Sequence, residues 1–105
     1  MEGVWRLTNA GLRHRHWPHA DLSGMSLGGA NCERINLVGA RLVTTSFSRG
    51  NLCNAELLFS DATGADFRSA DLDGCLMCRS ETMDACFDRS VLSEQNDIPG
   101  VRVVV

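Results

Sequence analysis

The chain has 105 residues, 44% of them hydrophobic and 22% charged, and a net charge of −3. No apolar run approaches the roughly 18 residues that a membrane-spanning helix needs, and the N-terminus MEGVWRLTNAGLRH lacks the apolar core of a signal peptide. Five cysteines are an odd number, whereas a disulfide framework uses pairs. We therefore expect a single cytoplasmic domain with free thiols and no membrane span.

Charge is distributed unevenly along the chain. Residues 1–55 contain six arginines and three acids, which sum to +3, whereas residues 56–97 contain ten acids and three arginines, which sum to −7. Arg102 adds the last positive charge and gives the net −3. A nucleic-acid-binding domain carries a basic stripe, so we expect no direct nucleic-acid binding.

Residues 1–19 form an N-terminal segment with an irregular pattern. Every fifth residue from Leu7 to Trp17 is large and apolar, but a charged residue and a proline interrupt the pattern. The terminal unit of a repeat protein has to cover the apolar end of the core. We expect this segment to form a degenerate first coil or a cap, with Trp17, and with it Trp5, over the open end.

Residues 20–94 repeat with a period of five. The triplet ADF at 65–67 is followed by ADL at 70–72, in each case a small residue, an acid and a large apolar residue. Neither a helix nor a strand brings side chains back to one face after five residues. Fourteen of the fifteen residues at every fifth position are apolar, and the residue two places before each is small, except Met25 and Ile35. An unbroken period of this length indicates a solenoid whose units are stable only against their neighbours. The fifteen residues are Leu22, Leu27, Cys32, Leu37, Leu42, Phe47, Leu52, Leu57, Ala62, Phe67, Leu72, Met77, Thr82, Phe87 and Leu92.

A second period of twenty lies above the first. Phe47, Phe67 and Phe87 are spaced by twenty residues, which is four units of five. If four short segments make one turn of a coil, these three rings lie above one another at the strand spacing of about 4.8 Å. We therefore predict a coil with a square cross-section and a core stack of the three rings.

The pentapeptides ADLSG, ANCER, INLVG, ADFRS and ADLDG resemble the repeat A(D/N)Lxx of the pentapeptide repeat family, over residues 20–94. The resemblance implies an all-β fold, a right-handed quadrilateral parallel β-helix of about four coils, in which the central residue and the small residue before it point inward. The other three residues of each unit then face solvent, so we expect the acids at the second position to solvate the surface. Thr82 departs from the pattern at a central position, and its hydroxyl should find a backbone partner inside.

The cysteines fit this geometry as ordinary thiols. Cys75 and Cys78 form a C-x-x-C motif, but their side chains would point to opposite sides of the wall, and no second pair completes a zinc site. Cys32 is expected in the core with Cys75. Cys53, Cys78 and Cys86 are expected to be exposed thiols without the surroundings of a catalytic nucleophile.

The three histidines do not complete a site either. His14, His16 and His19 are close in sequence, but no nearby carboxylate or cysteine completes a metal shell, and all three lie outside the repeat. A filled solenoid core also leaves no ligand-sized pocket of the usual kind. We therefore expect no enzyme activity, no catalytic residue, no metal site and no cofactor.

One wall of the predicted coil carries an unusually apolar set of outward residues. An exposed apolar patch often marks a partner site. We therefore predict a non-enzymatic interaction or scaffold module that binds a protein partner of unknown identity. The outward residues are Val38, Leu58, Phe59, Leu76 and Cys78.

The resemblance to the family also implies an alternative function. Some pentapeptide repeat proteins mimic B-DNA, bind type II topoisomerases such as gyrase and protect them from quinolones. The second half of this chain is acidic, but Arg49, Arg68 and Arg89 gather on the phenylalanine side and weaken the negative field there. DNA mimicry is therefore the alternative to the scaffold role.

Residues 95–105 form a C-terminal segment. Pro99-Gly100 is typical of a turn, and VRVVV at 101–105 is typical of a short strand. A valine-rich strand either covers its own last coil or pairs with a like strand of a second copy. We expect a homodimer through this end.

Overall fold

The computed structural model describes residues 6–93 and 96–101. The predictions for Trp5 and, apart from Val101, for the C-terminal strand therefore lie outside the described residues. Within them, no segment forms a helix that could span a lipid bilayer.

Each strand of the fold is a single residue in a parallel β-bridge. Such a residue stands at every fifth position from Arg6 to Val91, and each bridge joins residues twenty positions apart. The series that starts at Arg6 passes through Ser26, Ser46 and Asp66 to Cys86 in four steps. Four units of five residues thus make one coil, and the chain has four walls.

Backbone hydrogen bonds join each wall to the coil above it. On one wall, the Phe47 N–H donates to the Asp66 carbonyl at 2.7 Å, and the Arg49 N–H donates to the Arg68 carbonyl at 2.9 Å. A third bond runs the other way, from the Asp66 N–H to the Thr45 carbonyl at 2.9 Å. These bonds pair the backbone groups of a coil that has no extended strands.

A tight turn follows each central residue. The turn after Leu7 is closed by the Ala10 N–H, which donates to the Leu7 carbonyl at 2.9 Å, and the same bond recurs along the coil. The third residue of every turn from Asn9 to Arg89 has a positive φ, with values from 56° to 74°. This geometry is that of a type II turn, which favours glycine at that position. Glycine takes five of these positions: Gly24, Gly29, Gly39, Gly64 and Gly74.

The acids and asparagines before each central residue support the turns. The Oδ1 of Asp71 accepts a hydrogen bond from the Asp73 N–H at 3.1 Å, and Asn31 does the same for the Glu33 N–H at 3.2 Å. The N–H two residues ahead is thus paired locally, as in an Asx turn. These acids stand at the surface or partly exposed, where we expected solvating charges, and they have in addition a role in fixing the backbone. Asp21, Asn36, Asn51, Asp61 and Asp66 make the same bond.

The core contains the central residues and the smaller residues two places before them. Phe47 and Phe67 are fully buried, with ring centroids 5.3 Å apart and an angle of 3° between the planes. Phe87 continues the stack at 5.1 Å and 4°, although it is only half-buried in the last coil. Ile35 is fully buried at one of the small-residue positions, whereas Met25 is half-buried.

The phenylalanine wall has Leu7, Leu27, Phe47, Phe67 and Phe87 as its central residues. The apolar wall has Trp17, Leu37, Leu57 and Met77 at its centre, and the acidic wall has Leu22, Leu42, Ala62 and Thr82.

The bridge pattern is already regular in residues 6–19. The Trp17 N–H donates to the Asn36 carbonyl at 2.8 Å, as a central residue does elsewhere in the coil. Its side chain is half-buried and packs against the core from the first coil of the apolar wall. The described part of this segment is therefore continuous with the repeat.

Asn96 is fully buried near the C-terminal end, although the five-residue frame gives it an outward position. Its Nδ2 donates to the carbonyls of Leu72 at 2.6 Å and Cys75 at 2.7 Å, and its Oδ1 accepts from the Ser93 N–H at 2.6 Å. The amide thus binds backbone groups of the coil below, so that a polar side chain can be buried there.

Residues 97–101 continue over the last coil. Ile98 is only 4% exposed, and Val101 packs against the core cluster. The Thr82 hydroxyl donates to the Pro99 carbonyl at 3.0 Å. Thr82 thus has a backbone partner, but the bond is exposed rather than inside the core, and the partner belongs to the C-terminal segment rather than to the coil.

Candidate protein-interaction surface

The outward residues of the apolar wall stand in ladders twenty residues apart. Val38, Leu58 and Cys78 follow the central residues of successive coils and form one ladder, in which all three are half-buried. Successive coils are about 4.8 Å apart, which is close enough for neighbouring side chains of the ladder to shield one another from solvent. The ladder therefore presents a low apolar ridge along the wall.

Leu76 and Phe59 flank this ridge and are more exposed. Leu76, which is 37% exposed, stands before its central residue in the column of Glu56. Phe59, which is 59% exposed, lies at the turn on the other side of the ridge. The five residues predicted from the sequence thus share one wall, with two of them exposed and three half-buried.

Phe59 combines exposure with an unfavourable backbone conformation. It lies at the third position of a turn with φ of 60°, where a bulky side chain is an uncommon choice. The guanidinium carbon of Arg79, one coil above, lies 6.0 Å from the ring centroid in a cation–π contact. An exposed ring in a strained position is a stronger sign of function than an exposed apolar residue alone.

Three of the five cysteines have thiols with a raised pKa. Cys32 is buried, and this burial raises the pKa of its thiol to about 12. Cys75 is also buried, and burial raises the pKa of its thiol well above the ordinary value. Cys53, predicted as an exposed thiol, is half-buried, and burial, with a further effect of Asp71, raises its thiol pKa to about 11. Raised pKa values disfavour the reactive thiolate.

The three histidines of the first coil are the other candidate metal ligands. His14, His16 and His19 are exposed, and the Nδ1 of His16 lies 3.2 Å from the Nδ2 of Asn36. Among residues 6–93 and 96–101, no three His, Cys, Asp or Glu side chains are grouped as a metal would need. All five cysteines lie in this described part and are free.

A family model described as pentapeptide repeats matches residues 6–43 and 40–77, with eight copies. No curated protein matches the sequence. The similarity to that family model therefore covers most of the coil that the bridges define.

Solved structures of pentapeptide repeat proteins are similar over most of this chain. One from the cyanobacterium Cyanothece 51142 has a TM-score of 0.81 at 25% identity, covering 84% of this chain and 60% of its own. HetL from Nostoc sp. strain PCC 7120, involved in heterocyst differentiation regulation, has a TM-score of 0.78 at 23% identity, covering 85% and 44%. Another from Nostoc PCC 7120 has a TM-score of 0.68 at 25% identity, covering 84% and 80%.

These similarities identify the coil as a right-handed β-helix. This chain spans 60% of the length of the first of these proteins and 44% of the second. The shared fold leaves the outward residues free to differ.

Proposed function

Because this chain belongs to the pentapeptide repeat family, we propose that it is a non-enzymatic protein-interaction module whose protein partner binds the apolar wall. A β-helix with a filled core offers its outward ladders for recognition, since its interior is occupied by its own side chains. Function then depends on which outward residues depart from the polar pattern.

The observation that carries this proposal is the exposed Phe59 beside the ridge. The third turn position is occupied elsewhere by glycine or by polar or charged residues, which cost less free energy than an exposed phenylalanine. The ring adds nothing to the core, because it points away from it and is 59% exposed. A partner that covers Phe59, Leu58 and Leu76 would remove this apolar surface from water.

The test is a pull-down from lysate of the source cell with a variant that changes the wall but not the fold. We would combine Leu58→Ser and Phe59→Ser, because serine occurs naturally at the same turn position at Ser69, with φ of 59°. We expect at least one protein retained by the wild type to be lost with the double variant, by quantitative mass spectrometry. Identical sets of retained proteins would contradict the proposal.

A matched control uses an exposed apolar residue on another wall. Met83 is 71% exposed on the acidic wall, so Met83→Ser removes an apolar group of similar exposure. This variant should retain the same partner as the wild type. Loss of the partner in both variants would mean that overall surface hydrophobicity, rather than the apolar wall, is recognised.

Mimicry of DNA for a type II topoisomerase is the alternative. The acidic wall has four outward acids, Asp21, Asp61, Glu81 and Asp84, but Arg41 lies between the first two. A gyrase supercoiling assay tests this role. Inhibition or quinolone protection at micromolar concentrations would favour it over the scaffold role, and no effect would reject it.

We also propose the C-terminal end as the site of a homodimer, as the sequence predicts. Residues 96–101 already cover part of the last coil through Asn96 and Ile98, an arrangement that favours an intrachain cap. The dimer would therefore use the part of the last coil, around Phe87 and Leu92, that these residues leave partly exposed. Light scattering of the full chain and of a variant lacking residues 99–105 distinguishes the homodimer from the intrachain cap. If the full chain is a monomer at high micromolar concentration, the homodimer is rejected.

A further inference from the structure

The phenylalanine wall has a polar groove on its outer side. The groove crosses three consecutive coils and is open to solvent. Three of its six lining residues are arginines, and two of these three come from the acidic segment 56–97. The lining residues are Ser48, Arg49, Arg68, Ser69, Asp88 and Arg89.

Arg68 is held in a fixed orientation at the centre of the groove. Its Nε donates to the Oδ1 of Asp66 at 2.9 Å, and its Nη2 donates to the Oδ2 at 2.8 Å. The Arg68 guanidinium lowers the pKa of the Asp66 carboxyl below its ordinary value, so the pair persists near neutral pH. Since this pair uses one edge of the guanidinium, its other donors are left for a ligand.

Arg49 and Arg89 lie in the same turn column as Ser69, one coil below it and one coil above it. Their backbone positions are set by turns with φ of 59° and 60°. Two coils separate them, which corresponds to about 10 Å along the axis. The two guanidinium groups therefore reach the groove from points spread along the rod, with the Ser69 hydroxyl between them.

The charges of the groove leave a net attraction for anions. Three guanidinium groups face the carboxylates of Asp66 and Asp88, so the site has a net charge of +1. Asp66 is already paired with Arg68, whereas Asp88 would lie close to any bound anion. We propose that this groove binds a small phosphate anion with several negative groups, because arginine forks match phosphate oxygens and the arginines are spread along one axis.

Two features of this site distinguish it from general attraction to a positive charge. A ligand long enough to approach both Arg49 and Arg89 should bind more tightly than inorganic phosphate, which contacts one of them at a time. Replacing the Asp88 carboxylate by an amide should strengthen binding, since it removes a repulsive charge without changing size.

The experiment is an NMR titration of the full chain with inorganic tripolyphosphate and, separately, inorganic phosphate at constant ionic strength. For tripolyphosphate, Arg49→Gln with Arg89→Gln should weaken binding about 25-fold, or about fivefold for each exposed ion pair. Asp88→Asn should strengthen it by about fivefold on the same basis. Arg34→Gln is the control, because Arg34 occupies the same kind of turn, with φ of 59°, outside this groove.

The outcome rests on which backbone amides shift and in which variants. Shifts centred on residues 48–49, 68–69 and 88–89 that are lost only in the double arginine variant would support the site. Equal affinities in the wild type and the double arginine variant, or an equal loss in the Arg34 variant, would overturn it. Equal affinities for tripolyphosphate and inorganic phosphate would also overturn the proposed multivalent ligand. None of these results depends on the apolar wall.

Discussion

Replacing Phe67 by alanine tests the core of the β-helix most directly. The ring is fully buried and stacks on Phe47 at 5.3 Å and on Phe87 at 5.1 Å. Truncation of a buried phenylalanine to alanine costs about 3 to 5 kcal/mol. Because a ring stacks on each side of Phe67, truncation would leave a cavity between the two remaining rings, and we expect a loss near the upper end of this range.

The same substitution at Phe87 provides an internal comparison. Phe87 is half-buried and has only one ring beside it, so Phe87→Ala should cost about half as much, roughly 1.5 to 2.5 kcal/mol. Asp71→Asn is the control, since asparagine keeps the acceptor for the Asp73 N–H and the change should cost under about 0.5 kcal/mol.

The measurement is a urea titration of each variant, followed by circular dichroism, with the midpoint and the slope fitted separately. A lower midpoint at unchanged slope reports a loss of stability. If Phe67→Ala and Phe87→Ala reduce the free energy of unfolding equally, neither the greater burial of Phe67 nor its second stacked ring adds to stability, and the reasoning is refuted. If Phe67→Ala costs less than about 1 kcal/mol, the inward assignment of this position is wrong.

Three further predictions concern the ends and turns of the coil. Asn96→Asp should reduce the free energy of unfolding by at least about 2 kcal/mol, because two buried carbonyls lose their donor. Asn31→Asp is the control in the same urea titration: aspartate still accepts the hydrogen bond from the Glu33 N–H, so the change should cost under about 0.5 kcal/mol. Thr44→Gly should raise the thermal midpoint, since a β-branched residue at φ of 56° is strained and glycine is not; a lower midpoint would contradict the strain argument. Hydrogen bonds from Thr63 lower the pKa of the Asp61 carboxyl below its ordinary value of 3.8. The stability that the ionised Asp61 adds to the fold is therefore complete above pH 3.8 and is lost as the pH falls through the lowered pKa. Asp61→Asn should therefore reduce the acid sensitivity of the urea midpoint, and an unchanged pH profile would reject this role for Asp61.

The inward residues of the coil were predictable because the core has room for only two kinds of position. Leu52, Leu57 and Phe67 stand at one of them and are fully buried. A slip of one residue would bring polar groups into this core, so the period is strict and easily detected. For the same reason Thr82, the one polar residue at a central position, was expected to need a hydrogen-bond partner.

The parts that were not predictable depend on local backbone geometry or on the end of the repeat. Asp66 has the appearance of a solvated surface charge, and only the turn shows that it accepts the Arg68 N–H at 2.9 Å. A signal was available, because asparagine alternates with aspartate at this position, and both residues favour Asx turns. Asn96 gave no such signal, since the frame directs it outward and the two carbonyls that its amide binds belong to the coil below.

The candidate surface was predictable in position but not in shape. All five outward residues were placed on one wall by the period of twenty. The partial burial of Val38, Leu58 and Cys78 follows from the close approach of successive coils, which a one-dimensional pattern does not contain. The unusual feature of Phe59, its positive φ, depends on the turn type and was likewise absent from the pattern.

The bridge spacing of twenty residues restricts how a chain of this kind can change its length. An insertion or deletion of one residue would turn every later inward side chain toward solvent, and a change of five would keep the interior but move each later unit to the neighbouring wall. Only a cassette of twenty residues preserves both, since each bridge joins residues twenty apart. Duplication of such a cassette would lengthen the rod by about 4.8 Å and extend every outward ladder by one rung, which makes whole coils the natural units of its evolution and its redesign.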